Sequence, residues 1–173
     1  KSNDLLVGHL NYPSRLLDGA ARARAGEFDV LQDAATVIVH DQTNATLTLV
    51  DPATVELSNP TAVPAGADVA LGGTTIAVRA GRALHILPAD GLAGATFAED
   101  AATAEVGAGG GVAVSSDGDF VFAVSAAERT LTRVATSGAD GPSIDAVVTL
   151  DGIGRSARVQ VAAINDTAVV FDA

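Results

Sequence analysis

The stretch VAVSSDGDFVFAVSAAERTLTRV at 112–134 decides how the rest of the chain is read. It holds three short apolar runs, VAV, FVFAV and TLTRV, separated by a Ser-Ser-Asp-Gly-Asp segment at 115–119 and by Ala126, Ala127, Glu128 and Arg129. Short runs rich in Val and Phe between Gly and Asp are strands, because a helix needs about 10 to 12 residues. Asp-Gly between two such runs signals a hairpin: Gly adopts positive φ without steric cost, and Asp bonds its own backbone. The middle run is apolar at every position from Phe120 to Val124, whereas a hairpin with one wet face would alternate. That strand is therefore expected to have a dry neighbour on each side.

The same pattern recurs outward from this stretch. Runs with an apolar-x-apolar start, FDVLQ, VALGG, VAVSS and VQVAA, begin at 28, 69, 112 and 159, spacings of 41, 43 and 47. Each is followed by a turn signal, at Asp33, Gly72-Gly73, Asp117-Gly118 and Asn165-Asp166, and then by a second strand: TVIVH, TIAVR, FVFAV and AVVFD. Third strands fit TLTLV at 46–50, ALHIL at 83–87 and TLTRV at 130–134, and fourth strands fit 53–57, 102–106 and 146–150. Four short antiparallel strands per 40 to 47 residues is the period of a propeller blade (about 40 to 50 residues). The expectation is all-β: β-propeller blades of four-stranded antiparallel meanders over 28–68, 69–111 and 112–158, and a partial blade over 159–173. This amounts to about three and a half blades, a partial or half propeller. Residues 1–27 form a lead segment, with Leu5, Leu6, Val7, Leu10, Leu16 and Leu17 able to supply a closing strand to the last blade. That would make a tight four-bladed ring. The competing reading is half of a seven-bladed ring, whose bare blade faces would be covered by a second copy in a homodimer. Only 17–25 and 98–106 have mild helical composition, enough for one short turn. A stand-alone β-sandwich is a third reading, and it predicts no radial repeat.

Composition narrows the function classes. The 173 residues suffice for one domain. Ten basic against 21 acidic residues give a net charge of −11, which repels nucleic acid and anionic membrane surfaces. No Cys is present, so disulfides, thiolate metal sites and thiol nucleophiles are excluded. Aromatic residues are 3%, and Tyr12 with five Phe leaves few platforms for stacking sugars or single strands. The chain opens on Lys1 and has no Met, so it is expected to be a trimmed segment whose only route to a membrane is an unseen upstream anchor.

The stretch at 112–134, with its Ser-x-Asp-Gly turn, resembles the repeat of bacterial YVTN-type and WD-like β-propellers. TVIVHDQTNATLTLVDPAT at 36–54 resembles the same unit, including the Asp-Pro-Ala-Thr exit at 51–54. The unit at 69–106 departs from it with Gly-Gly in place of Asp-Gly, and the WD dipeptide is absent. More loosely, LLDGAARARAGEFDVLQD at 16–33 is similar to the extracytoplasmic region of large fibronectin type III-containing bacterial envelope proteins. The resemblance implies a propeller fold and a bacterial, secreted or membrane-anchored setting outside the cytoplasm. It implies no particular activity, because the repeat serves enzymes and scaffolds alike.

No residue set reads as a site. His9, His40 and His85 have neither paired spacing nor an HExxH context, and are expected to be satisfied locally rather than to act as ligands or bases. Ser115, Ser116 and Asp117 lack a Gly-x-Ser-x-Gly elbow and read as a turn. Asp117-Gly118-Asp119 lacks the further ligands and distal Glu of a calcium loop. The Gly-Ala-Gly-Gly-Gly segment at 107–111 precedes a strand and has no Lys, so it reads as a flexible connection between blades, not a phosphate loop. Asn44 and Asn165 match glycosylation sequons but read as turn residues. Arg15, Arg22 and Arg24 form the densest positive charge, an anchor for the lead segment. Glu99-Asp100 and Glu27 with Asp29 read as solvated loop acids. The expectations are therefore no catalytic, cofactor-binding or metal residues and no cofactor. The implied role is a non-catalytic extracytoplasmic scaffold domain of a larger bacterial envelope protein, whose partner is another protein or the remainder of the same chain. The alternative is a fragment of a lactonase-like or glycan-processing propeller enzyme whose active site needs further blades.

Overall fold

A computed structural model describes residues 6–11, 13–23, 26–155 and 158–172. Three four-stranded antiparallel sheets follow one another along the chain, each a simple meander. The first consists of β3 (Phe28–Asp33), β4 (Thr36–Asp41), β5 (Thr46–Val50) and β6 (Thr61–Ala62). The second consists of β7 (Asp68–Gly72), β8 (Thr75–Ala80), β9 (Ala83–Pro88) and β10 (Ala104–Glu105). The third consists of β11 (Val112–Val114), β12 (Phe120–Ser125), β13 (Thr130–Ala135) and β14 (Ser143–Thr149). A two-stranded hairpin stands at each end: β1 (Leu6–Asn11) with β2 (Leu16–Arg22), and β15 (Val159–Ile164) with β16 (Thr167–Asp172). The first strands β3, β7, β11 and β15 are neighbours in space, so the sheets radiate from one line as propeller blades do.

The doubly apolar second strands explain how the blades stack. Ile38 of β4 packs with Leu47, Ile76 and Val78 in the seam between the first and second blades, while its neighbour Val39 turns to the opposite face, onto Val7 and Ala23. On β8, Ile76 and Val78 face the first blade, and Ala77 faces Val114, Val121 and Ala123 of the third. On β12, Val124 packs on Val159 of the last hairpin. Alternate side chains thus enter two different cores, which is the physical reason these strands lack a polar face.

The turns between first and second strands each use a residue at positive φ: Ala34 (47°), Gly73 (56°), Gly118 (82°) and Asn165 (53°). Gly73 is bound by the preceding blade, its N–H donating to Asp33 Oδ2 at 2.9 Å, and Thr75 Oγ1 donates to Gly118 O at 3.0 Å. Neighbouring blades are therefore stapled turn to turn.

Three expectations are corrected. The fourth strand of the first blade is β6 and not 53–57, because Asp51 Oδ1 accepts from the N–H of Ala53 at 2.8 Å and starts a loop that leaves Val55 at φ 58°. Leu57 retains only an isolated bridge to Val50. Residues 17–22 are strand, whereas 98–106 does hold one short helical turn, Glu99–Ala101, and a second such turn lies at Ala89–Gly91. Among the described residues the lead segment adds no strand to the last blade: β1 and β2 pair with each other, and Val7 and Ala23 cover the face of the first blade turned away from the second.

Candidate functional site

One rung of the repeat builds the most polar cavity. Four residues before the turn, Asp29 pairs with His40, Asp68 with Arg79, and Gln160 with Phe171. In the third blade the corresponding pair is Gly111 and Val124, joined by a 3.0 Å bond from Val124 N–H to Gly111 O. These rungs meet where the four first strands converge, and they enclose a cavity of about 300 Å³ lined by Asp29, His40, Gln42, Asp68, Gln160 and Phe171 among others.

Arg79, paired with Asp68 on this rung, ties the second blade to the third. It is 3% exposed, and its guanidinium donates to Gly111 O at 3.1 Å, Val124 O at 2.7 Å and Gly107 O at 2.5 Å. A side chain at Gly110 would lie 2.2 Å from Val124 O, so the backbones can approach only with glycine there. The Gly-rich segment is therefore a bonded seam and not the flexible connection its composition implied. Ser125 Oγ also binds it, donating to Ala108 O at 2.7 Å. Burial pushes the Arg79 pKa down, opposed by the Asp68 charge.

Around the cavity the charges are tempered. His40 is buried, and desolvation lowers its pKa against the opposing pull of Asp29, Asp41 and Asp68. Asp68 keeps much of its surface in solvent, yet desolvation of its carboxyl raises the pKa against Arg79 and His40. Asp29 is exposed and accepts from Gln42 Nε2 at 2.5 Å. The rim is thus carboxylate and amide above a neutral imidazole, a surface suited to hydrogen bonding and to cations, with no nucleophile beside a base.

The other candidates are placed as follows. His85 is buried edge-on to Phe97, ring centres 5.4 Å apart, with its Nε2 unpartnered among the described residues. Burial lowers its pKa, with Ala101 acting in the other direction through a backbone hydrogen bond. Ser115 is fully buried; its hydroxyl donates to Asp117 and accepts from Phe120 N–H at 2.9 Å, so it closes a turn. The Ser115 hydroxyl and the Asp119 N–H hold the Asp117 carboxyl below its usual range. Asn44 caps Asp41 through 2.8 and 2.9 Å bonds, and Asn165 is the positive-φ turn residue. Arg15 immediately precedes β2 and Arg22 ends it, ~23 Å apart at roughly 3.3 Å per residue, so these two form no cluster. Arg24, Tyr12 and the side chain of His9 lie outside the described residues. Glu27, Asp29, Glu99 and Asp100 are exposed. Among the described residues no three His, Asp or Glu are grouped to hold a metal ion. Motif reading does not single out Arg79, since its partners are carbonyls; counting four residues on from the start of each second strand, Thr36 and Thr75, aligns it with His40.

No protein-family model matches the chain, and no curated protein matches it in sequence. Solved structures do match in shape. A chain of the mitotic checkpoint complex is similar over 99% of this chain and 54% of its own length, at 14% identity and TM-score 0.62. Hydrazine synthase of Kuenenia stuttgartiensis is similar over 84% of this chain and 45% of its own length, at 13% identity and TM-score 0.52. U3-55K is similar over 86% and 55%, at 10% identity and TM-score 0.52. The chain spans about half the length of these relatives in shape. At such identities the likeness concerns the fold alone, and the fold is all-β, a partial β-propeller.

Proposed function

We propose that this chain is a non-catalytic scaffold domain that binds protein, within a larger extracytoplasmic envelope protein of a bacterium. The observation that carries this reading is where the polar chemistry goes. Arg79, Asp33 and Thr75 join neighbouring blades, and Ser115 and Ser125 fix a turn and a connection of the third, which leaves exposed carboxylates and amides on the rims as the groups open to a partner. The WD40-like fold of the structural neighbours supports a surface that displays loops. The resemblance of 36–54 and 112–134 to bacterial YVTN-type repeats supports the setting outside the cytoplasm. Partners are another protein or the remainder of the same chain, with a homodimer through the bare blade faces, and a membrane is reached only through an upstream anchor.

The test is an alanine scan of Asp29, Glu99 and Asp100, scored by quantitative cross-linking of the parent protein in cells. At least one substitution should weaken a cross-link, and a scan that leaves every cross-linked partner unchanged overturns the reading. The alternative of a lactonase-like or glycan-processing enzyme fragment predicts a higher melting temperature with millimolar Ca²⁺ or Mg²⁺, because a ligand bound only to the native state stabilises it.

A further inference from the structure

Three polar side chains are shared by two cavities. His40, Gln42 and Asp68 line the cavity of about 300 Å³ described above and also a second, of about 230 Å³, that adjoins it against Ala45, Gly66 and Ala67. The second cavity is walled by residues between 40 and 68, at the junction of the first and second blades.

Each of the three keeps an unused acceptor among the described residues. His40 is only 9% exposed, and neither of its ring nitrogens makes a hydrogen bond. Burial lowers its pKa, so the ring is neutral at pH 7 and one nitrogen offers a lone pair. Neither oxygen of Asp68 accepts a hydrogen bond, because the guanidinium of its cross-strand partner Arg79 is engaged by the carbonyls of Gly107, Gly111 and Val124. Gln42 gives its Nε2 to Asp29 Oδ2 at 2.5 Å, which leaves Oε1 without a donor. The charges facing His40 are Asp29 on β3, Asp41 on β4 and Asp68 on β7, and Asp41 is closed off by Asn44. Against these carboxylates stands the guanidinium of Arg79, beside Asp68. The place is therefore net negative and short of donors, and polar groups withheld from water are costly until a donor arrives.

We infer that the two cavities together seat the ammonium group of a lysine side chain presented by a partner protein, held by Asp68, His40 and Gln42. An ammonium carries three donors and no acceptor, which matches one carboxylate, one imidazole nitrogen and one amide oxygen. A planar guanidinium is matched by paired carboxylate oxygens and would leave the imidazole and the amide unserved. A metal ion fits less well, since among the described residues no three His, Asp or Glu are grouped to hold one. Ala67, Val69 and Val112 supply an apolar wall for the methylene stem. The net charge of −11 draws cationic segments towards the chain, and the unused acceptors select this mouth. This deepens the scaffold reading by naming what the partner brings, and rests on it for the source of the amine.

The experiment titrates the 173-residue chain with Nα-acetyl-lysine methylamide at low salt and follows backbone amide and histidine ring resonances. Saturable shifts are expected at His40 and Asp68, with a dissociation constant of about 1 mM or below. Nα-acetyl-norleucine methylamide, which lacks the ammonium, should not saturate, and the free diamine putrescine should bind no tighter than the lysine probe. Asp68→Asn should weaken binding at least ~10-fold and Gln42→Leu at least ~3-fold. Asp151→Asn removes the same charge from an exposed turn and should leave binding within about 2-fold. No saturation by the lysine probe up to about 20 mM overturns the inference. Equal binding of the norleucine compound, equal weakening by Asp68→Asn and Asp151→Asn, or putrescine binding ~10-fold tighter than the lysine probe does the same. An amine that fails to bind leaves the cross-links of the loop scan intact, and a scan without effect leaves this titration intact, so the two readings fail separately.

Discussion

The seam between the second and third blades and the hairpins at the two ends use the same residue types in opposite environments. In the seam, Leu84, Val121 and Val134 are fully buried, and Arg79 ties three carbonyls of the adjoining blade. At the ends, Ile164, Val169, Leu16 and Leu17 have the same hydrophobicity and stand largely in solvent. The difference teaches that burial here is a property of the next blade and not of the strand. A blade face acquires its core only when a neighbour arrives, so each unit stabilises the adjoining ones.

Breaking the seam should cost the most. Arg79→Met removes the guanidinium donor from the carbonyls of Gly107, Gly111 and Val124; Gly111 O keeps the Val124 N–H, so for the other two, at about 1 to 3 kcal/mol per buried orphan, the loss should be ~2 to 6 kcal/mol. The urea midpoint measures it, and a loss below ~1 kcal/mol would mean water enters the seam freely.

A paired deletion sharpens the contrast. Ile76→Ala, at a fully buried position, should lose about 2 to 5 kcal/mol. Ile164→Ala, at 62% exposure, should lose less than ~0.5 kcal/mol in dilute solution. Raising the concentration should enlarge only the second value if another copy covers that end. Equal losses at both positions in dilute solution would contradict the contrast.

The smallest effect concerns acidity. Burial lowers the pKa of His40 and of His85 below 6.5, so the stability tied to their neutral forms is complete above 6.5 and is lost as pH falls through the folded values. Asp68 works the other way and lower, since a pKa raised above 3.8 contributes stability below 3.8 that is lost as pH rises through the folded value. The melting temperature should therefore drop between about pH 7.5 and pH 5.5, and His85→Gln with His40→Gln should flatten that drop. An unchanged slope in the double variant would show that neither imidazole is kept neutral by the blades.

Much of the fold could be read from the chain. First and second strands fell where apolar runs met Gly, Asp or Asn, because the hairpin turn needs positive φ and these residues supply it at Gly73, Gly118 and Asn165. Ala34 adopts the same conformation without that chemistry, and there the turn was legible only from the flanking Asp33 and the period. The fourth strand of the first blade was misplaced because the Asp51 side chain diverts the backbone first, a competition that apolar periodicity does not register. Of the site, the turn roles of Ser115, Asp117 and Asn44 followed from local bonding over two to five residues.

By itself, then, the sequence determined the local units: short strands, their turns, their period, and second strands that are apolar on both faces. Those features follow from backbone sterics and from side-chain alternation, which act over a few residues. Only the tertiary structure decided that Asp29, Asp68, Gly111 and Gln160 share one mouth and that Arg79 seals a seam. It also decided that the lead segment covers the first blade and, among the described residues, does not close the last. Each of these depends on contacts between residues some 30 or more positions apart, whose geometry is set by how twisted blades pack around their common line.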